Sequence, residues 1–148
     1  MSKPNKYFLY HGTNKKIVNG ELEPRNPTIN WDFSDSVKQK VQPSVSFYDN
    51  KKLARMGNAN VYKIKDNFNF LSLIDENLSN DAEDYIEINN KELKEMNIVR
   101  SIKDWATSKV AYKFLIKNGY EGIIVWDAGN VGEDIELRIF NKVGVNKA

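Results

Sequence analysis

The sequence predicts an α+β domain in which strands at both ends of the chain enclose a helical middle. Three observations support this class. Strand-like runs occur before residue 72 and after residue 121, amphipathic helical patterns lie between them, and strands and helices do not alternate as they do in a βαβ repeat. There is also no glycine-rich phosphate loop of the Rossmann or Walker kind. The 148 residues predict one domain spanning 1–148.

The first half of the chain is predicted to contain strands, one short helix and a long loop. Four segments have the apolar or alternating character of strands: Tyr7 to Tyr10, Ser44 to Tyr48, Asn60 to Lys65 and, more weakly, Phe68 to Leu71. Asp49 is the predicted N-cap of a helix from Asn50 to Met56, which Gly57 ends. The polar segment from Lys15 to Gln42 contains glycine and proline and is predicted to be mostly loop.

The second half is predicted to contain helices followed by strands. Two acidic amphipathic segments are predicted to be short helices: Asn80 to Ile88 and Asn90 to Met96. Ser101 and Asp104 approximate a capping box for a helix that runs to about Asn118, with Gly119 as its C′ residue. Three segments are predicted to be strands: Gly122 to Trp126, Ile135 to Phe140, and Val143 to Val145 as an extension or partner of the second.

Composition excludes several kinds of chemistry. Without cysteine there is no disulfide, thiolate metal site or cysteine nucleophile, and a single histidine, His11, excludes a multi-histidine metal site. No metal is therefore predicted. The net charge of +2 is spread along the chain, so a nucleic-acid-binding domain is an alternative that depends on weak positive charge alone. The short apolar runs and the absence of a signal-peptide pattern predict a cytoplasmic protein without membrane contact.

Four short motifs occur along the chain in a fixed order. They are Tyr10-His11-Gly12-Thr13, the Ser44 to Asp49 strand leading into Leu53-Ala54, Gly119 to Ile124, and Glu136 to Asn141. In that order and at those distances, the chain resembles the ADP-ribosyltransferase superfamily, specifically its diphtheria-toxin and poly(ADP-ribose) polymerase branch. The resemblance spans Tyr7 to Val145. It implies a split antiparallel β-sandwich with short flanking helices that holds NAD+ between its two sheets.

The resemblance also implies a role for each motif. His11 would hold a ribose hydroxyl of NAD+ by donating to it, and the Gly12 backbone would bind the nicotinamide amide, because a glycine lets a flat ring approach. Glu136 would be the catalytic glutamate on the 2′-hydroxyl of the nicotinamide ribose. The predicted catalytic residues are Glu136, His11 and Ser46. The predicted NAD+-binding residues are His11, Gly12, Thr13, Ser46, Phe47, Tyr48 and Tyr62.

The sequence departs from the family at the middle of its His-Tyr-Glu triad. Ser46 occupies the tyrosine position, and a serine cannot stack on nicotinamide. Tyr48, on the same strand face, and Tyr62, on the next strand, are the two candidates for supplying the missing ring. Asp134 is a candidate on the acceptor side with Glu133 as its neighbour, although solvation in a loop is the simpler interpretation for both. Taken alone, Glu136 is also expected on the solvated face of its strand.

The function implied by the resemblance is mono-ADP-ribosylation, with NAD+ as co-substrate and no metal. The acceptor would be a host protein or nucleic acid, recognised by the loops Lys15 to Gln42 and Asp127 to Asp134. Stand-alone family members of this size resemble bacterial or phage effectors and toxins. Two alternatives remain: an NAD+ glycohydrolase that uses water as acceptor, and a non-catalytic module that binds NAD+, ADP-ribose or a partner protein. Ser46 favours the second alternative.

Overall fold

The computed structural model describes residues 9–25, 39–65, 67–98, 106–126 and 134–148. Within these ranges the strands are β1 (Tyr10–Thr13), β2 (Glu21–Leu22), β3 (Val45–Tyr48), β4 (Asn60–Ile64), β5 (Phe70–Ser72), β6 (Gly122–Trp126), β7 (Ile135–Ile139) and β8 (Val143–Lys147). The helices are α1 (Lys51–Arg55), α2 (Asn80–Glu95) and α3 (Lys109–Lys117). This mixed content agrees with the predicted α+β class.

All eight strands belong to one sheet, in the order β2-β8-β4-β1-β3-β7-β6-β5. Neighbouring strands are antiparallel except β5 and β6, which are parallel. Four residue pairs align β1 with β4, and four align β3 with β7, but a single pair, Tyr10 with Tyr48, aligns β1 with β3. We call this pair the junction. It joins two four-stranded halves of the sheet.

The short helix α1 begins one residue later than predicted. Its N-cap is Asn50, whose side-chain oxygen accepts hydrogen bonds from the N–H groups of Lys52 and Leu53. Asp49, which directly follows β3, instead links that strand to β7. Its Oδ1 accepts a hydrogen bond at 3.2 Å from the N–H of Ile135, the first residue of β7. The predicted N-cap role of Asp49 is therefore wrong.

The two predicted acidic helices form one continuous helix, α2. Asn89, expected between them, is buried in its middle, and its amide group bonds the Ala106 carbonyl and the Ser108 N–H. Ser108 in turn caps α3, so that helix begins at Lys109. Gly119 has a φ of 82° and follows α3 as predicted. The capping box at Ser101, the strand residues before 9 and the loop residues 127–133 lie outside the described residues.

Strand β7 is buried along its whole length. Leu137 and Ile139 lie in one core cluster with Phe47, while the neighbouring strand residue Ile123 belongs to a second cluster with Tyr85 of α2. Both faces of this central strand are therefore covered. No described helix has the length and apolar character needed to cross a membrane.

Candidate functional site

A cleft of about 510 Å³ opens beside the junction. That volume falls in the range of roughly 300–1,000 Å³ typical of small-molecule sites. Six of the residues predicted for the NAD+ site line it: His11, Gly12, Thr13, Ser46, Tyr48 and Glu136. They come from β1, β3 and β7, so the fold brings the two ends of the chain together at one site.

His11 is fixed at the cleft by a hydrogen bond to the main chain of β3. Its Nδ1 lies 2.6 Å from the Ser46 carbonyl oxygen, and because a carbonyl carries no proton, the imidazole must be the donor. Burial lowers the pKa of His11 and the positive charge of Arg25 lowers it further, although the bond to Ser46 acts in the opposite direction.

The neutral ring that results presents Nε2 to a ligand as an acceptor. The predicted donation from His11 to a ribose hydroxyl is therefore wrong for the neutral ring. The Nδ1 proton is already used by the Ser46 carbonyl, so the neutral ring has no second proton to donate.

Gly12 allows β1 to pack closely on α1. A Cβ built on Gly12 would lie 1.9 Å from the carbonyl oxygen of Ala54, so no larger residue fits without movement of the backbone. This close packing of β1 on α1, rather than the approach of a flat ligand ring, explains why a glycine occupies position 12.

The main chain of Gly12 is directed to the β3 side of β1. The Leu9 carbonyl accepts a hydrogen bond from the Ile64 N–H, so the main-chain polar groups of Leu9 point toward β4. Because this direction alternates along a strand, the N–H and C=O of Gly12, three residues later, point toward β3. The β1–β3 register ends at the junction, and the Ser46 carbonyl opposite Gly12 accepts from His11. The N–H and C=O of Gly12 therefore face the cleft.

The β3–β7 register places two polar residues of β3 against the charged residues of β7. Ser46 is paired with Arg138, and Tyr48 is paired with Glu136. Paired residues of antiparallel strands share a face of the sheet. Tyr48 is therefore the aromatic residue that the register sets beside the glutamate. Thr13, at the end of β1, accepts a hydrogen bond from the Lys15 N–H and shapes the turn that follows.

Two predicted NAD+-binding residues do not line the cleft. Phe47 is fully buried in the core, with its ring centroid 5.7 Å from that of His11, so it supports the imidazole from behind. Tyr62 is 5% exposed, and its hydroxyl accepts a hydrogen bond from the Ile17 N–H. The predicted ligand contacts of both residues are wrong because their side chains are used in the core.

Glu136 is buried, with 4% of its surface exposed, and it lines the cleft. Its Oε1 accepts hydrogen bonds from Nε and Nη2 of Arg138, each at 3.3 Å. The simpler expectation of a solvated glutamate is therefore wrong, because Glu136 lies on the central strand β7, every residue of which is buried.

The start of β7 is held by Asp49. Its N–H donates to the Ile135 carbonyl and its Oδ1 accepts from the Ile135 N–H, which fixes the strand one residue before Glu136. Asp134 precedes the strand and does not line the cleft, and Glu133 lies outside the described residues.

Sequence reasoning missed Asp49, Arg25 and Arg138 as parts of the site. Arg25 lines the cleft and is held there by paired main-chain bonds to Ser44, but nothing in its sequence neighbourhood marks it. For Arg138 a signal existed, namely a second charged residue two positions after Glu136 in an otherwise apolar strand.

No protein-family model, curated protein or solved structure matches this chain. Functional assignment therefore depends on the chemistry of the cleft. The cleft is lined by a histidine acceptor and the buried carboxylate of Glu136, by the cationic side chains of Lys15 and Arg25, and by the carboxylate of Glu23. This set suits a small ligand that carries both hydroxyl groups and negative charge.

Proposed function

We propose that this protein is a mono-ADP-ribosyltransferase, which takes ADP-ribose from NAD+ and transfers it to a macromolecular acceptor. One observation carries the proposal: His11 and Glu136, from opposite ends of the chain, line the same cleft at the junction of two half-sheets. The narrow junction also supports the finer proposal that the fold is the split sheet of the ADP-ribosyltransferases.

The chemistry requires stabilisation of positive charge more than it requires a nucleophile in the protein. As the bond between C1′ of the ribose and nicotinamide breaks, its electron pair leaves with nicotinamide and the ribose becomes positively charged. The Glu136 carboxylate, accepting a hydrogen bond from the 2′-hydroxyl, stabilises that charge more strongly in the transition state than in the ground state. A lone pair of the acceptor then forms the new bond to C1′, and the proton of the acceptor passes to solvent.

The other cleft residues fit the remaining parts of NAD+. Nε2 of neutral His11 accepts a hydrogen bond from a ribose hydroxyl, and the main chain of Gly12 matches the donor and acceptor of the nicotinamide amide. Tyr48 supplies an aromatic ring beside Glu136. The guanidinium of Arg25 and the ammonium of Lys15 suit the two phosphates.

The first prediction tests the role of Glu136 with a matched pair of variants. Glu136→Gln keeps the shape of the side chain and removes its charge, whereas Glu87→Gln makes the same change on the exposed surface of α2. We expect Glu136→Gln to lower the rate of nicotinamide release from NAD+ by about 10²-fold or more, and Glu87→Gln to leave it unchanged. The measurement is chromatography of free nicotinamide over time.

Labelled NAD+ added to a cell lysate distinguishes the alternatives. Label that is transferred to macromolecules by the wild type but not by Glu136→Gln supports the transferase. Free ADP-ribose without labelled macromolecules would instead make the protein an NAD+ glycohydrolase. Calorimetric binding of ADP-ribose with no consumption of NAD+ would show a non-catalytic binding module, and neither binding nor consumption would overturn the NAD+ assignment.

A further inference from the structure

We propose that Arg138 is the positioning residue of the site: it holds the Glu136 carboxylate in place without itself lining the cleft or contacting the ligand. The inference rests on the proposed function. Nε and Nη2 of Arg138 both lie 3.3 Å from Oε1 of Glu136, and both side chains are about 5% exposed. Arg138 is absent from the cleft lining, whereas Glu136 is part of it.

The two residues lie on the same face of β7, two positions apart. The register places Tyr48 opposite Glu136 and Ser46 opposite Arg138, and of the two charged residues only Glu136 lines the cleft. Two nitrogens of a planar group converge on one carboxylate oxygen. That arrangement limits rotation of the Glu136 side chain, which a single flexible ammonium would not do.

Arg138 remains charged in this environment. Burial by itself lowers its pKa, but the Glu136 carboxylate, with smaller contributions from Tyr85 of α2 and Tyr48 of β3, raises the pKa above its usual value. The negative charge of Glu136 is therefore balanced by the fixed positive charge of Arg138, and of these two residues Glu136 alone lines the cleft.

Stability alone does not account for this pair. Taking two charges out of water is so unfavourable that well-packed apolar residues often replace a buried ion pair without loss of stability. Ile123 of β6, which is paired with Arg138 and shares its face of the sheet, is fully buried, so apolar side chains fit this face. A need to fix the Glu136 carboxylate explains why a buried arginine, with its fork directed at that carboxylate, occupies this position.

The test compares the steady-state kinetics of nicotinamide release in the wild type and three variants, each with all 148 residues. Arg138→Met removes the charge and the fork, and Arg138→Lys keeps the charge but removes the fork. We expect kcat to fall by about 10²-fold in Arg138→Met and about 10-fold in Arg138→Lys, with KM unchanged within about twofold. Leu93→Ala is the control for lost stability, because Leu93 lies in a core cluster that does not line the cleft; its kcat should equal that of the wild type.

Each outcome supports or overturns the inference. Partial rescue of kcat by Arg138→Lys at constant KM supports positioning. An active wild type with unchanged kcat in both arginine variants, or a rise in KM alone, overturns the role of Arg138 and leaves the proposed function intact. An equal fall of kcat in Leu93→Ala shows a general effect of stability and also overturns it. A wild type that does not consume NAD+ overturns both proposals. If Arg138→Met does not fold, Arg138→Lys decides the test.

Discussion

At the scale of single residues, the protonation of His11 couples the cleft to the stability of the protein. Burial lowers the pKa of His11 in the folded state, whereas an unfolded histidine titrates near 6.5. Below pH 6.5 the histidine of the unfolded chain binds a proton, whereas buried His11 of the folded chain binds one only at lower pH. The stability due to neutral His11 is therefore present above pH 6.5 and is lost as the pH falls through the lower pKa of the folded state.

We expect His11→Gln to remove this dependence on pH. The measurement is urea unfolding of both proteins from about pH 7.5 to about pH 5. The difference in unfolding free energy, wild type minus variant, should fall by at most about 1.4 kcal/mol per pH unit as the pH decreases. Aspartates and glutamates titrate in both proteins, so their contribution cancels. Two curves that run parallel over the whole range would contradict a buried, neutral His11.

The sequence motifs predicted which residues line the cleft better than they predicted the role of each residue there. His11 and Glu136 were identified from their motifs, and both line the cleft. Gly12 was expected to admit a ligand ring, but the carbonyl of Ala54 occupies the space that its Cβ would fill. The main-chain carbonyl of Ser46 holds His11, a role that the identity of the Ser46 side chain does not reveal.

At the scale of secondary-structure elements, the contact between β1 and α1 shapes one wall of the cleft. In Gly12→Ala, the new methyl group meets a backbone carbonyl oxygen at 1.9 Å, which no side-chain rotation relieves. We expect α1 to shift and the free energy of unfolding to fall by about 1–3 kcal/mol. Amide chemical shifts should change along the whole of Lys51–Arg55.

Gly119→Ala is the control for the loss of a glycine. Its φ of +82° makes alanine strained, but no atom lies within 4 Å of the new Cβ. Its chemical-shift changes should stay near the end of α3. If Gly12→Ala leaves the shifts of α1 untouched, the close packing of β1 on α1 is contradicted.

Two elements show why local sequence patterns were insufficient to predict the burial of a strand and the length of a helix. The alternation in β7 predicted one exposed face, but β7 is a central strand with core clusters on both sides, and coverage of the second face depends on distant α2. In α2, the amphipathic pattern predicted two short helices, Asn80 to Ile88 and Asn90 to Met96, instead of one. The helix continues because Asn89 bonds the Ala106 carbonyl and the Ser108 N–H, partners that the sequence alone does not place there.

At the scale of the whole molecule, the order of elements predicted an α+β class, but the single pair of Tyr10 with Tyr48 that forms the junction could not be predicted from local patterns. Strand positions follow from local alternation, but pairing depends on contacts between segments far apart in the chain. Tyr10 pairs with Tyr48, and the next possible pair, Gly12 with Ser46, is replaced by the bond from the His11 side chain to the Ser46 carbonyl. A single side chain thus marks where the sheet divides and where the cleft begins.

A ligand in this cleft contacts both halves of the sheet, so binding should stabilise the entire fold. With ADP-ribose at about 100 times its Kd, we expect the free energy of unfolding to rise by about 2.7 kcal/mol. Amide hydrogen exchange should slow most in β1 and β3, which flank the junction, and less in α2 and α3. Inorganic phosphate at matched ionic strength is the control. Equal stabilisation by phosphate, or protection centred on α3, would contradict a ligand site that joins the two half-sheets.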